Sequence, residues 1–278
     1  MKIITPPSRV VFTTVSLAFA FSSALSGASV VYDTVGSTYT QNFDTLSNNN
    51  DSTNVWSDGN TLTGWHWVDA SGTTRTSYLA TSGGSVGQNI ILSAGNTGTT
   101  DRSLGAQSET GTSDTDFIHY GLQLTNDTGS TLDSFSIAFT AEQWRAVNNE
   151  GQDQLSFSYQ VFSGAGDLTS GSWTNVASLT FDAPTTVTTG STALDGNDAA
   201  NQEVFSTLTL NGIGWDDGEE LWLRWSDVEA TSAGGFLRAV MTIDDVSFSA
   251  SSPIPEPSSY SLLVGLVAGG AFMIRRRR

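Results

Sequence analysis

Leu155, Phe157, Tyr159 and Val161 alternate with Ser156, Ser158 and Gln160, so one side of this stretch is apolar and the other polar. A period of two belongs to an extended strand with one face against a core and the other toward water. The same alternation recurs at Ile118, Tyr120, Leu122 and Leu124, at Phe135, Ile137 and Phe139, and at Leu221, Leu223 and Trp225. Between the runs lie Asn126-Asp127-Thr128-Gly129, Ser163-Gly164-Ala165-Gly166, Asp195-Gly196-Asn197 and Asp216-Asp217-Gly218, residues that accept positive φ or close tight turns. Long stretches with helical spacing, β-α alternation and internal repeats are all missing from the body of the chain. The pattern predicts an all-β domain, a two-sheet antiparallel β-sandwich of jelly-roll type.

Tyr39 to Asp44 reads as an opening strand and Met241 to Phe248 as a closing one. In the closing segment Met241 and Ile243 share one parity while Val246 and Phe248 share the other, so a regular strand would bury only two of the four. One extra residue at Asp244-Asp245, a β-bulge, brings all four to the same face.

The two ends of the chain read differently. Lys2 and Arg9 precede an apolar stretch from Val10 to Leu25, and Ser26-Gly27-Ala28 supplies the small residues that a signal peptidase reads. Residues 1–28 are therefore expected to be a signal peptide with a helical apolar segment. At the other end Pro255-Glu256-Pro257 is followed by an apolar run from Tyr260 to Ile274 and then by Arg275 to Arg278. Such a run is close to the lower limit of roughly 17 residues for a membrane-spanning helix, and the arginines hold that end in the cytoplasm. The expected organisation is a signal peptide over 1–28, a β-sandwich over 29–250, a linker with the Pro-Glu-Pro motif over 251–257, a transmembrane helix over 258–274 and an Arg cluster over 275–278.

This three-part end resembles the PEP-CTERM sorting signal of Gram-negative bacteria. The resemblance implies recognition by an exosortase, transient anchoring in the inner membrane, cleavage in or near Pro255, Glu256 and Pro257, and delivery to the cell surface or extracellular matrix. The body, with "GLQLTN", "EQWR", "LSFSYQV", "LDGN" and "LWLRWSDV", is similar to domains found in other PEP-CTERM proteins, which implies a location rather than a chemistry.

Removing both ends changes the charge more than the length. Of 11 basic residues only 5 remain, because Lys2, Arg9 and the four terminal arginines leave, whereas 28 acidic residues lose only Glu256; the net charge moves from −17 to about −22. Such a body repels phosphate backbones and anionic lipid, which excludes nucleic-acid binding. Its expected partners are divalent cations or a neutral, hydroxyl-rich polymer such as extracellular polysaccharide. There is no cysteine, so stability must come from the core, with structural calcium as a candidate addition.

Three tryptophans are the candidate glycan contacts. Trp65 and Trp67 share one face of an extended segment about 7 Å apart, a spacing suited to successive sugar rings. Trp144 lies on the parity opposite to Phe135, Ile137 and Phe139, beside Glu142 and Arg145, where it is expected to form a stacking platform. "QNFD" near the start and "IDDVSF" near the end resemble the terminal strands of jelly-roll modules such as carbohydrate-binding modules and MAM-type domains. That resemblance implies that the first and last strands pair and that calcium sits near Asp44, Asp244 and Asp245.

Catalytic patterns are weak. Gly83-Gly84-Ser85-Val86-Gly87 fits G-x-S-x-G literally, but Gln88 to Leu92 after it reads as a strand where a nucleophile elbow needs a helix. His66 and His119 are the two histidines, too few for a cysteine-free zinc site without recruited carboxylates; His119 is expected on an exposed strand position. No carboxyl pair is singled out for glycoside hydrolysis. The sequence predicts a non-catalytic, exported surface or matrix protein that associates with glycan; the alternatives are a purely structural or adhesive role and a secreted glycoside hydrolase.

Overall fold

The computed structural model describes residues 28–69, 71–84, 89–108, 117–148, 153–228 and 238–252. In chain order the strands are β1 (Val30–Tyr32), β2 (Tyr39–Gln41), β3 (Thr53–Val55), β4 (Trp65–Asp69), β5 (Ser77–Thr81) and β6 (Ile90–Ala94). They continue with β7 (Ser103–Gln107), β8 (Ile118–Asn126), β9 (Leu132–Val147), β10 (Gln154–Phe162) and β11 (Thr174–Asn175). The last are β12 (Phe181–Asp182), β13 (Ser191–Ala193), β14 (Gln202–Trp215), β15 (Glu220–Val228) and β16 (Val240–Ser251). The sole helical turn among the described residues is a short 3-10 segment, Ala177–Leu179.

Two sheets form. One runs β1-β8-β15-β10-β11, with β4 added on β8 and β12 on β10; the other runs β13-β9-β16-β7-β6-β5-β3, with β14 added on β9 and β2 on β16. The strands with the clearest alternation make the longest ladders: β10 and β15 pair from Gln154↔Val228 to Phe162↔Glu220, and β15 continues onto β8. Their apolar parities face the second sheet, where Phe139 packs against Phe157, Phe205 and Trp225 with ring centroids 4.8 to 6.2 Å apart. The all-β sandwich read from the alternation is the observed architecture. Its sheets are mixed rather than purely antiparallel, since β1 lies parallel to β8 and β5 parallel to β6.

Local chemistry explains the connections. Asn126, fully buried, accepts from the Thr128 amide (3.0 Å) and hydroxyl (2.7 Å), folding the turn in which Gly129 takes φ 70°. The bulge is where the alternation puts it. Asp244 pairs with Thr140 and Ser247 with Ala138, three steps on β16 against two on β9, and Met241, Ile243, Val246 and Phe248 are all fully buried. Asp245 absorbs the extra residue with φ 50°. The first and last segments also meet as expected, Val246↔Gln41 to Phe248↔Tyr39.

No helix among the described residues is long and apolar enough to cross a membrane. The expected signal segment up to residue 27, the sorting motif Pro255, Glu256 and Pro257 and the expected helix over 258–274 lie outside the described residues.

Candidate functional site

The three tryptophans proposed from the sequence as glycan contacts are closed to solvent, at 0% for Trp65 and 1% for Trp67 and Trp144. Trp65 and Trp67 do share a face of β4, but it is the inner face. Trp65 stacks on Trp225 at 5.7 Å, meets Phe43 edge-on at 4.9 Å and donates its Nε1–H to the Tyr39 hydroxyl (2.9 Å). Trp144 does lie on the outer face of its sheet, beside Glu142, as its parity requires. The segment after β13 then covers it: the Leu194 amide donates to the Trp144 carbonyl (2.9 Å), and Gly196 sits so close that a Cβ there would overlap the indole. Leu92, Ala94 and Val240 complete this small second core, and the indole N–H is satisfied by Glu142 (2.7 Å). None of the three offers a ring to a sugar.

The three aspartates proposed for calcium are not gathered into a ligand set. Asp44 is exposed and accepts from Asn42 Nδ2 (2.8 Å) and the Arg102 amide (3.1 Å). Asp244 is buried and accepts from the Asp245 amide (2.7 Å), while the bulge turns Asp245 outward to solvent. Among the described residues no group of three or more acidic or histidine side chains converges as a metal site. His119 is not exposed either: it is buried and stacked on Phe117 at 4.2 Å. Burial, with the charge of Arg224, lowers it to about 3.

The outer face of the β8–β15–β10 sheet holds what those residues do not. Opposite the inward Leu221, Leu223 and Trp225, β15 presents Trp222 and Arg224; β4 presents His66 and Val68. Gly121 of β8 lies between His66 and Arg224 in the register, and the missing side chain admits Leu168 from the loop joining β10 to β11. That loop is tied down on the sheet. Glu220 accepts from Trp222 Nε1 (2.8 Å) and the Gly166 amide (3.1 Å), and Arg224 donates to the Leu168 carbonyl (2.9 Å) and Ser158 Oγ (3.1 Å). The Arg224 guanidinium lies 3.8 Å from the centre of the half-exposed Trp173 ring.

Between this loop, the turn after β4 and the segment before β4 opens a cleft of about 270 Å³. Its walls are Trp222, Trp67, Val68 and Leu168, and its polar groups are Asp58, His66, Thr74, Asp167 and Thr169. His66 packs on Trp222 at 4.8 Å. Burial lowers it to about 4, outweighing the neighbouring Gln123 and the Glu220 charge, so the ring is neutral at pH 7. Gln123 lies alongside without hydrogen-bond geometry; His66 Nε2 and Gln123 Oε1 both lack a partner, as does Trp67 Nε1. Burial pushes the Asp58 carboxyl up, against hydrogen bonds from Trp56 Nε1 (2.7 Å) and the Trp67 amide (3.0 Å). Asp167 is also raised by burial, but its bonds from Thr169 and Ser170 prevail and hold it below the usual carboxylate range.

Of the residues flagged in the sequence, Trp67 and His66 alone border this cleft. Trp222 has the parity opposite to Leu221 and Leu223, which places it outward. Asp58, Asp167 and Thr169 lie in loops and carry no periodic signal that marks them.

No curated protein matches the chain. Among solved structures, TmCBM61, determined in complex with β-1,4-galactotriose, aligns with 56% of this chain and 75% of its own at 8% identity and a TM-score of 0.25. The xylan-binding module CBM15 aligns with 73% of this chain and 99% of its own at 12% identity and a TM-score of 0.29. The mosquito-larvicidal Cry4Aa toxin from Bacillus thuringiensis aligns with 68% of this chain and 24% of its own at 9% identity and a TM-score of 0.25. The C-terminal segment gives the specific match: residues 253–278 fit the PEP-CTERM protein-sorting motif, which implies an exported protein, anchored transiently in a membrane and processed by an exosortase on its way to the surface.

Proposed function

We propose that this is a non-catalytic surface or matrix protein whose β-sandwich associates with extracellular polysaccharide through the cleft bordered by His66 and Trp222. The observation that carries the reading is that cleft: an apolar wall of indole and leucine, a rim of hydroxyl and carboxylate groups, and a buried polar atom at His66 Nε2 left without a partner. Ligand hydroxyls are the groups that would satisfy such an atom, while sugar C–H faces pack on indole. Delivery by the sorting motif brings the cleft to where such polymers are. A non-catalytic role agrees with the two histidines, which burial lowers to about 4 and about 3, far from the poise a general acid–base needs near neutrality.

Two measurements test this. Mass spectrometry of the protein from its own cells should find a mature form that ends near Pro255 and lacks Tyr260 to Arg278; an intact C-terminus would make it a permanently anchored ectodomain. Binding to a panel of soluble oligosaccharides should be weakened about tenfold by His66→Ala. An unchanged affinity in that variant would remove the cleft from the interaction.

A further inference from the structure

The five arginines that remain after export are all drawn into the fold. Arg102 and Arg238 are buried, and Arg75, Arg145 and Arg224 are half-buried. Arg102 donates to the Ser93 hydroxyl and to the carbonyls of Thr81 and Ser93; Arg145 donates to the carbonyls of Gly83 and Gly84. Arg75 pairs with Asp69 at 3.4 Å. The basic groups of the described surface are thus spent on internal contacts, and the field that a ligand meets is set by carboxylates. Two of these, Asp58 and Asp167, line the cleft, no arginine does, and His66 within it is neutral.

Resting on the glycan reading above, we propose that the cleft selects a glycan bearing a free, protonated amino group, with the amine facing Asp58 and Asp167 and the sugar body against Trp222. A ligand ammonium supplies the charge that the half-buried Asp58 lacks, and buried charge is stabilised chiefly by a close opposite charge. The hydroxyls of the same ring remain for Thr74, Thr169 and His66 Nε2. A uronic acid in that position would meet two carboxylates, while the nearby cations are already engaged, Arg224 with the Leu168 carbonyl and Ser158 Oγ and Arg75 with Asp69 and the Trp67 ring, which opposes binding. An acetylated amine keeps the ring and loses the charge, so it isolates the effect.

The test uses the mature exported protein and three probes: the trisaccharides of glucosamine, N-acetylglucosamine and galacturonate, measured by titration calorimetry. The expected result is binding of the glucosamine probe about tenfold tighter than the acetylated one, an advantage that shrinks as salt rises from about 0.05 to about 0.5 M, and no binding of galacturonate. Asp167→Asn should erase the advantage. Because Asp167 also caps its own loop through Thr169 and Ser170, Thr74→Lys, which adds a cation at an exposed rim position, serves as the second variant and should do the same with unchanged thermal unfolding. Equal affinity for the amine and its acetylated form, unaltered by Thr74→Lys, overturns the amine selectivity and leaves the glycan reading standing. Failure of all three probes together with a wider panel of oligosaccharides overturns both.

Discussion

Asp244 shows how one side chain ties stability to pH. It occupies an outward position of β16, yet it is buried, and burial, reinforced by the charges of Glu142, Asp245 and Asp101, pushes its carboxyl up to about 8 against the hydrogen bond from the Asp245 amide. In the unfolded chain the same group ionises near 3.8. Between those values the folded protein holds a proton that the unfolded chain has released, so the contribution to stability is complete below about 4 and is lost as pH rises through about 8. His66 and His119 act with the opposite sign: their folded values are lowered from 6.5, so they penalise folding increasingly as pH falls through about 6.5, where the unfolded rings are half protonated. Between pH 6.5 and 8 the two together recover under about 1 kcal/mol, equally in the parent and in Asp244→Asn, so the difference between the two proteins isolates the carboxyl. Across that window the carboxyl should cost the parent up to about 2 kcal/mol, close to one proton's worth, and Asp244→Asn should remove most of that cost while keeping an acceptor for the Asp245 amide. Urea titrations at both pH values measure it, and parallel slopes in the two proteins would contradict the assignment.

The bulge in β16 is legible in the sequence alone, because four large apolar residues with a parity switch at Asp244-Asp245 leave one geometric solution. Its necessity can be tested by separating the conformation from the residue count. Asp245 sits at φ 50°, a region that costs an L-residue about 1 kcal/mol or more, while glycine loses a similar amount through its freer unfolded state. Asp245→Gly should therefore leave stability within about 1 kcal/mol of the parent. Deleting Asp245 instead turns Val246 and Phe248 outward, and losing two fully buried side chains from the core costs about 4 kcal/mol or more. A folded deletion variant with parent-like urea midpoint would mean that the register is set elsewhere. The same reasoning shows where sequence reading stopped. Alternation placed β8, β9, β10 and β15, the turns at Gly129 and Gly218, and even the outward parity of Trp144, since each depends on neighbours in the chain. It did not reveal that Leu194 to Gly196 close over Trp144, that Leu168 packs into the space above Gly121, or that β5 and β6 run parallel, since these are contacts between segments with no shared periodicity. Trp65 and Trp67 failed as ligand contacts for a related reason: two-residue spacing shows that they share a face, and only the sheet they join shows that the face is the interior one.

The molecule as a whole is strongly acidic, with a net charge of −17. Without the expected signal peptide and sorting tail, 5 arginines stand against 27 acidic residues, and because those arginines are buried or half-buried, the exposed charge is mostly negative. Like charges held at the distances of a compact domain repel more than in the expanded chain, so folding works against its own field. Screening should relieve this. Raising sodium chloride from about 0.01 to about 0.15 M shortens the Debye length from about 30 to about 8 Å, and each kcal/mol recovered moves the unfolding midpoint of a domain this size by about 2–4 °C. The midpoint should rise by several degrees over that range. Calcium provides the discriminating arm: with Asp44 held by Asn42 and the Arg102 amide and with Asp244 buried while Asp245 is exposed, calcium chloride at matched ionic strength should raise the midpoint by little more than its greater screening valence accounts for. A saturable rise at sub-millimolar calcium would show a true native-state ligand acting by mass action, and would require carboxylates other than those three to hold it. A midpoint that is flat in salt would show that the surface charge is already balanced, by ions bound to the folded shell.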